Sequence, residues 1–215
     1  MTIYLDVLRS RLLLRSRTLD QAFDRHVFGR TQLYRVDRYA VQEGLISALW
    51  QSWSNFCREV VFASARGAIT SGGVTTTSPY DTLTDLQLGH IARSFARNEP
   101  PRPGRSLRGQ FQEPTWGDLD ALNRIVTGAT CSNSSSICSA LALGSAIRDL
   151  QLCRNANAHI CRETILGVRS TAVRYSAGPL RHPSDLMFWV EPASGSFVWK
   201  SWIDEVDLIS SHAVR

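Results

Sequence analysis

Between residues 150 and 164 the chain reads LQLCRNANAHICRET, placing Arg154, Asn155, Asn157 and His159 within six positions. Histidine, with an unperturbed pKa near ~6.5, moves protons at neutral pH. Arginine stabilises the extra charge of a phosphorane-like transition state. Asparagine orients either one or binds a phosphate oxygen. Cleavage of RNA by its own 2′-hydroxyl needs a base, an acid and charge stabilisation, and no cofactor. A site that uses the 2′-hydroxyl is blind to DNA. The five cysteines, at 57, 131, 138, 153 and 161, show no CxxC or other zinc-ligand spacing. They are expected to be buried free thiols in a reducing compartment, and no metal or cofactor is expected.

Spacing constrains this chemistry. At 100° per residue, Arg154 and His159 lie about 140° apart on an ideal helix and do not share a face. Asn155 and His159, four residues apart, lie about 40° apart and can touch. Arg154 continues the apolar stripe of Leu143, Ile147 and Leu150, where a charge is costly unless paired or turned outward. Two geometries would unite Arg154 with His159. In one, the helix breaks near Asn155, a favoured N-cap residue, and a fresh helix N-terminus favours phosphate. In the other, a symmetry-related copy contributes its own Arg and His to a composite site, with Ala156 and Ala158 permitting close helix approach.

The positioning elements are helical. Residues 3–28 carry Leu5, Leu8, Leu12, Leu19, Ala22 and Phe23 at helical steps. A longer helix is expected from about Gln32 to Arg66, with Val41, Leu45, Leu49, Trp53, Phe56, Val60 and Ala63 on one face. After the break TSGGVTTTSPYD, the Ser78-Pro79-Tyr80-Asp81 sequence predicts a helix over 79–97. A Pro/Gly-rich loop follows, with Arg102, Arg105 and Arg108 spaced three apart as candidate RNA contacts. A Thr115/Asp118 capping pattern opens a helix to about Thr127. From Ser136 a helix runs into the motif. The run DLMFWVEPASGSFVWKSW predicts a β-hairpin, and IDEVDLIS a final turn or short helix. Chain order therefore gives an N-terminal helix (1–30), a helical bundle (31–170) and a hairpin appendage (171–215). The fold class is mainly α, an up-down helical bundle with a small C-terminal β-hairpin.

At 215 residues, 43% hydrophobic and 20% charged, the composition is that of a soluble globular protein. No apolar run approaches the ~20 residues needed to cross a bilayer. The arginine-broken start MTIYLDVLRSRLLLRSR is not a signal peptide, so a cytoplasmic protein without membrane association is expected. The formal charge is +5, and Lys200 is the only lysine. Residues 1–180 hold 21 arginines against 14 acids, whereas residues 181–215 hold three basic and five acidic residues. That polarity is compatible with nucleic acid and argues against the tail as its contact surface.

RNANAH resembles the signature of the HEPN superfamily, an arginine followed after four to six residues by histidine. Other features strengthen the likeness. A polar residue, here Asn155, directly follows the arginine. The motif follows the amphipathic run ALALGSAIRDLQLC in the second half of the bundle, and no other Arg–His pair in this chain has the spacing. GLISALWQSWSNFCREVVF is similar to the family's early core helix, and the likeness spans roughly residues 32–170. It implies a small helical bundle that dimerises with its two motifs facing, as many metal-independent endoribonucleases of toxin and defence systems do. In such a protein Arg154 and His159 are catalytic and Asn155 supports them. Asn157 joins Arg102, Arg105 and Arg108 as an RNA contact, and an antitoxin or defence-system protein is the partner class. Members silenced by adenylylation carry tyrosine two residues after the histidine, where this chain has Cys161. The alternative is a non-catalytic HEPN module that binds nucleic acid or a partner protein. A helical scaffold bound through the aromatic C-terminal run is a third reading. At residue level the plain alternatives are a polar helix end for the motif and a solvated loop for the three arginines. The tryptophans at 50, 53, 189, 199 and 202 read as core or interface anchors. Histidines 26, 90, 182 and 212 have no companions in the sequence.

Overall fold

Amphipathic periodicity becomes eight α-helices among the residues described by the computed structural model, which are 3–29, 34–102 and 104–215. They are α1 (Leu5–Phe28), α2 (Arg35–Ala65), α3 (Asp85–Ala96), α4 (Leu119–Ala129), α5 (Ser134–Leu141), α6 (Ser145–Ala158), α7 (Arg162–Ser170) and α8 (Val198–Ala213). The expected start of α2 near Gln32 lies outside the described residues. No described helix is long and apolar enough to cross a membrane. The fold class is mainly α, with only isolated β-bridges among the described residues.

Two compact units are built from non-contiguous segments. The first comprises Met1–Leu12, Trp53–Gly144 and Leu208–Arg215, the second Leu13–Ser52 and Ser145–Asp207. In the first, Trp53, Phe56 and Val60 of α2 are buried, as are Ile91 of α3 and Leu122 and Ile125 of α4. Gly128 lets α3 and α4 approach, because a Cβ there would stand 2.4 Å from the Phe95 ring. The Arg58 guanidinium forks onto Glu113 at 2.7 and 2.9 Å, and the Trp116 indole donates to the same carboxylate at 2.7 Å.

Two helix starts differ from expectation here. The capping box of α3 is Thr84 with Gln87, so the helix begins at Asp85 rather than at Pro79. Ser78 instead donates to the Ala129 carbonyl at 3.4 Å. Asp118, not Thr115, caps α4 by accepting from the Ala121 amide at 2.8 Å. The helix expected from Ser136 onward is two helices, α5 and α6, separated by a turn at 142–144. At that turn a Cβ on Gly144 would lie 2.4 Å from Leu119.

In the second unit, α6 is capped from afar. The Glu205 carboxylate accepts from the Ala146 and Ile147 amides at 3.0 and 2.8 Å, satisfying helix-end donors that no local residue reaches. The predicted C-terminal hairpin is not present. Its first run forms a 3₁₀ segment, Pro183–Phe188, started by Asp185, which accepts from the Arg181 and His182 amides at 2.7 and 2.9 Å. Its second run opens α8, where Trp199, Trp202, Val206 and Ile209 are fully buried at steps of three and four. That spacing is helical, and the aromatic and β-branched composition had masked it. What remains of strand pairing is the bridge of Val190 with Ser176 and Phe197, around a turn in which Gly195 takes φ +67°. Lys200 binds Asp20 and Asp24 at 2.6 and 2.7 Å, so the only lysine is spent within the unit.

Asp149 of α6, 1% exposed, accepts from Tyr175 Oη at 2.6 Å and pairs with Arg174. Burial raises its carboxyl above the ordinary value, against the lowering by Tyr175 and Arg174. A raised folded-state pKa favours folding most below the unfolded carboxyl's ~3.9, and that contribution fades as pH rises. Tyr175→Phe removes a donor to a buried charge and is expected to cost about 1.5–3 kcal/mol at neutral pH. The penalty should shrink in acid, where protonated Asp149 needs the donor less. Urea unfolding at the two pH values checks both.

Candidate active site

The motif occupies the end of α6 and the link to α7. Leu150, Cys153 and Ala156 are fully buried in the second unit, and Cys153 Sγ donates to the Pro183 carbonyl at 3.2 Å. Burial pushes that thiol's pKa well above its ordinary value, which makes it packing rather than a nucleophile. This contact places the next residue, Arg154, half-buried, and its Nη1 donates to Asn155 Oδ1 at 3.1 Å. The charge on the apolar stripe is therefore held by its own neighbour. Leu143 lies in the preceding turn, outside the helix, and is 45% exposed.

His159 follows the last residue of α6. Its amide donates to the Asn155 carbonyl at 2.9 Å, and its carbonyl accepts from Thr164 Oγ1 at 2.7 Å. The same hydroxyl accepts from the Cys161 amide at 3.1 Å, opening α7. The histidine backbone is thus fixed at both ends while its side chain is exposed. Cys161 is exposed as well, contrary to the expectation of buried thiols that holds for Cys57, Cys131 and Cys153.

A break at Asn155 is not what the chain does. Helix α6 continues to Ala158, and Asn155 is an interior residue rather than an N-cap. Because the His159 amide still completes a helical hydrogen bond, its Cα stays on the helical path, about 140° around from Arg154. Alanines at 156 and 158 favour continuation through this stretch. Asn157 lies about 60° from Arg154. Both of its amide atoms are shielded from solvent and have no hydrogen-bond partner among the described residues. Ala156 is buried within its own unit, which leaves Ala158 as the exposed small residue.

Of the three loop arginines, Arg102 and Arg105 line a cleft in the first unit together with His90, Arg93 and Arg97. Arg108 is exposed, does not line that cleft, and has its amide bound to Gln112 Oε1 at 2.9 Å.

Sequence reading missed the companions of two histidines in the second unit. Gln42, 1% exposed, meets His26 Nε2 at 3.2 Å and accepts from Ser184 Oγ at 2.8 Å. His182 Nδ1 lies 2.8 Å from Ser184 Oγ, its Nε2 lies 3.1 Å from Glu43, and its ring stacks on Tyr39. Burial, then the charge of Arg38, lowers the His26 pKa from 6.5, consistent with a neutral ring accepting from the Gln42 amide. Ser184, His182 and Glu43 are the residue types of a hydrolytic triad. Ser184 is 0% exposed, however, and its hydroxyl proton goes to Gln42, so no nucleophile is presented. The network backs a pocket of about 480 Å³ lined by His26, Arg38, Tyr39, Arg181 and Phe188 among others. Gln42 and Ser184 are 142 positions apart, and no local pattern joins them.

The chain matches no family model, no curated protein and no solved structure.

Proposed function

We propose that this protein is a HEPN-type, metal-independent endoribonuclease that cleaves RNA by 2′-hydroxyl attack, acting in the cytoplasm in a toxin–antitoxin or phage-defence setting. His159 is the general acid/base, Arg154 stabilises the phosphoryl transition state, and Asn155 holds the guanidinium. The observation that carries the reading is the end of α6. There Arg154 is tied to Asn155 at 3.1 Å, and an exposed histidine follows on a backbone anchored at both ends. Such fixed placement is what a general acid/base needs.

One copy separates the two groups around the helix, so the working unit is a homodimer of up-down bundles whose motifs face across a two-fold axis. Exposed Ala158 permits the approach. The competing reading, a HEPN module that binds nucleic acid or a partner protein without cutting, is favoured by the arginine-lined cleft of the first unit.

Incubation of the purified protein with total RNA in EDTA decides between them. Discrete fragments are expected from the wild type and none from Arg154→Ala. Cleavage that requires an added divalent metal sinks the mechanism, and uncut but bound RNA selects the competing reading.

A further inference from the structure

Helix α3 has two unlike faces. Leu88, Ile91 and Ala92 are buried, while His90, Arg93 and Arg97 line a cleft of about 320 Å³. Positions 90, 93 and 97 fall on one side of a helix. The loop that follows adds Arg102 and Arg105 to the same lining. None of these four arginines forms an ion pair among the described residues, although Arg58 and Arg66 of the same unit do. Glu99 is the only acid among the lining residues. His90 Nε2 is shielded from solvent and has no hydrogen-bond partner among the described residues. Unpaired guanidinium groups gathered around one concavity repel one another, and a phosphate anion relieves that repulsion through bidentate hydrogen bonds.

The opposing term is the negative end of α3, roughly half an elementary charge. It is partly answered by Arg124 Nε, which donates to the Ala96 carbonyl at 3.0 Å. Four full positive charges outweigh both it and the single Glu99 carboxylate. Arg93 and Arg97 are separated by a rise of about 6 Å along the axis. That separation suits neighbouring phosphates on a strand better than a single oxyanion.

We propose that this cleft is a backbone-binding site that holds consecutive phosphates of a single RNA strand, with Arg93 and Arg97 as its fixed wall and Arg102 and Arg105 as its loop wall. That the strand is RNA rests on the ribonuclease reading; the phosphate chemistry does not. Arg108, which the loop spacing had grouped with the other two, is outside the site.

The test is anisotropy of a short fluorescein-labelled single-stranded RNA, titrated with His159→Ala protein so that binding is read without cutting. Against that background, Arg93→Gln/Arg97→Gln should weaken binding about tenfold or more and reduce the salt slope by about 1.4, at ~0.7 for each single-strand phosphate contact. Arg102→Gln/Arg105→Gln, on exposed loop positions, should do the same without touching α3. Arg93→Lys/Arg97→Lys should keep most of the salt slope. The control Arg15→Gln/Arg17→Gln removes the same charge from exposed positions on α1 that do not line the cleft, and should leave affinity within about twofold. Equal weakening by the control, an unchanged salt slope in the cleft variants, or displacement of RNA by polyglutamate of equal charge would each overturn the proposal. Failure of RNA cleavage with these binding results intact would sink the nuclease reading alone.

Discussion

His159→Ala is expected to lower RNA cleavage by about 10²–10⁴-fold, the usual worth of a positioned general acid/base, and to leave stability nearly unchanged. The anchors of this residue are its amide and carbonyl, at 2.9 and 2.7 Å, and alanine retains both. The side chain is exposed, so its removal opens no cavity. Arg154→Ala is expected to be comparably inactive. Mixing the two dead proteins by co-expression then separates the geometries. If Arg154 of one copy serves His159 of the other, half of the dimers are mixed and each carries one intact site. About a quarter of wild-type activity should return, as two-fold symmetry requires. If both groups act from one chain, every site lacks one of them and nothing returns. Because α6 holds the pair about 140° apart, recovery is the expected result. Wild-type cleavage by His159→Ala alone would remove histidine from the mechanism altogether.

The α2 core face was readable because Leu45, Leu49, Trp53, Phe56 and Val60 recur at three- and four-residue steps, and all five are buried. Val41, in the same series, is 40% exposed; periodicity marks a face but not how far its cover extends. Helix starts were misplaced where two capping patterns lay close together. Ser78 and Thr84 both qualify, and the reciprocal Thr84–Gln87 bonds decide for the second. The hairpin failed for a different reason. Composition favoured strands, whereas the burial of Trp199, Trp202, Val206 and Ile209 follows a helical step, so tertiary burial overrode β-propensity. At the candidate site, residue types and the sign of the helical offset were legible locally. The Asn155–Arg154 bond is between neighbours, and the placement of the helix end depends on Thr164 only a few residues on. The links that join His26 and His182 into one network, Gln42 to Ser184 and Glu43 to His182, run between segments more than a hundred positions apart, and a single sequence carries no signal for them.

Glu113→Ala is expected to destabilise the first unit by about 3–5 kcal/mol, the cost of orphaning one member of a buried ion pair. The Glu113 side chain is 5% exposed and that of Arg58 13%. The fork between them is supplemented by the Trp116 indole on the same carboxylate. Removing the carboxylate strands a guanidinium over the Phe62 ring, 4.3 Å from its centroid, and an indole N–H with no acceptor. Glu59 and Asp85, at 3.0 and 3.7 Å from Arg58, are half-exposed and recover only part of the loss. Glu113→Gln keeps the shape and one acceptor, so its cost should fall between that of Ala and none. Arg58→Met/Glu113→Leu removes both charges and should regain most of the loss, apart from about 1–3 kcal/mol for the unpaired indole. For a chain of this size, 3–5 kcal/mol corresponds to a fall in Tm of about 6–20 °C. The consequence reaches the cleft, because a Cβ on Gly89 of α3 would meet Leu107 at 2.9 Å and Glu113 at 3.2 Å. Those two residues close the loop that carries Arg102 and Arg105 against the helix that carries Arg93 and Arg97. Glu113→Ala should therefore weaken RNA binding below its melting range, although it removes a negative charge. Tighter RNA binding by Glu113→Ala, the outcome that charge alone dictates, would mean that the ion pair does not position the loop.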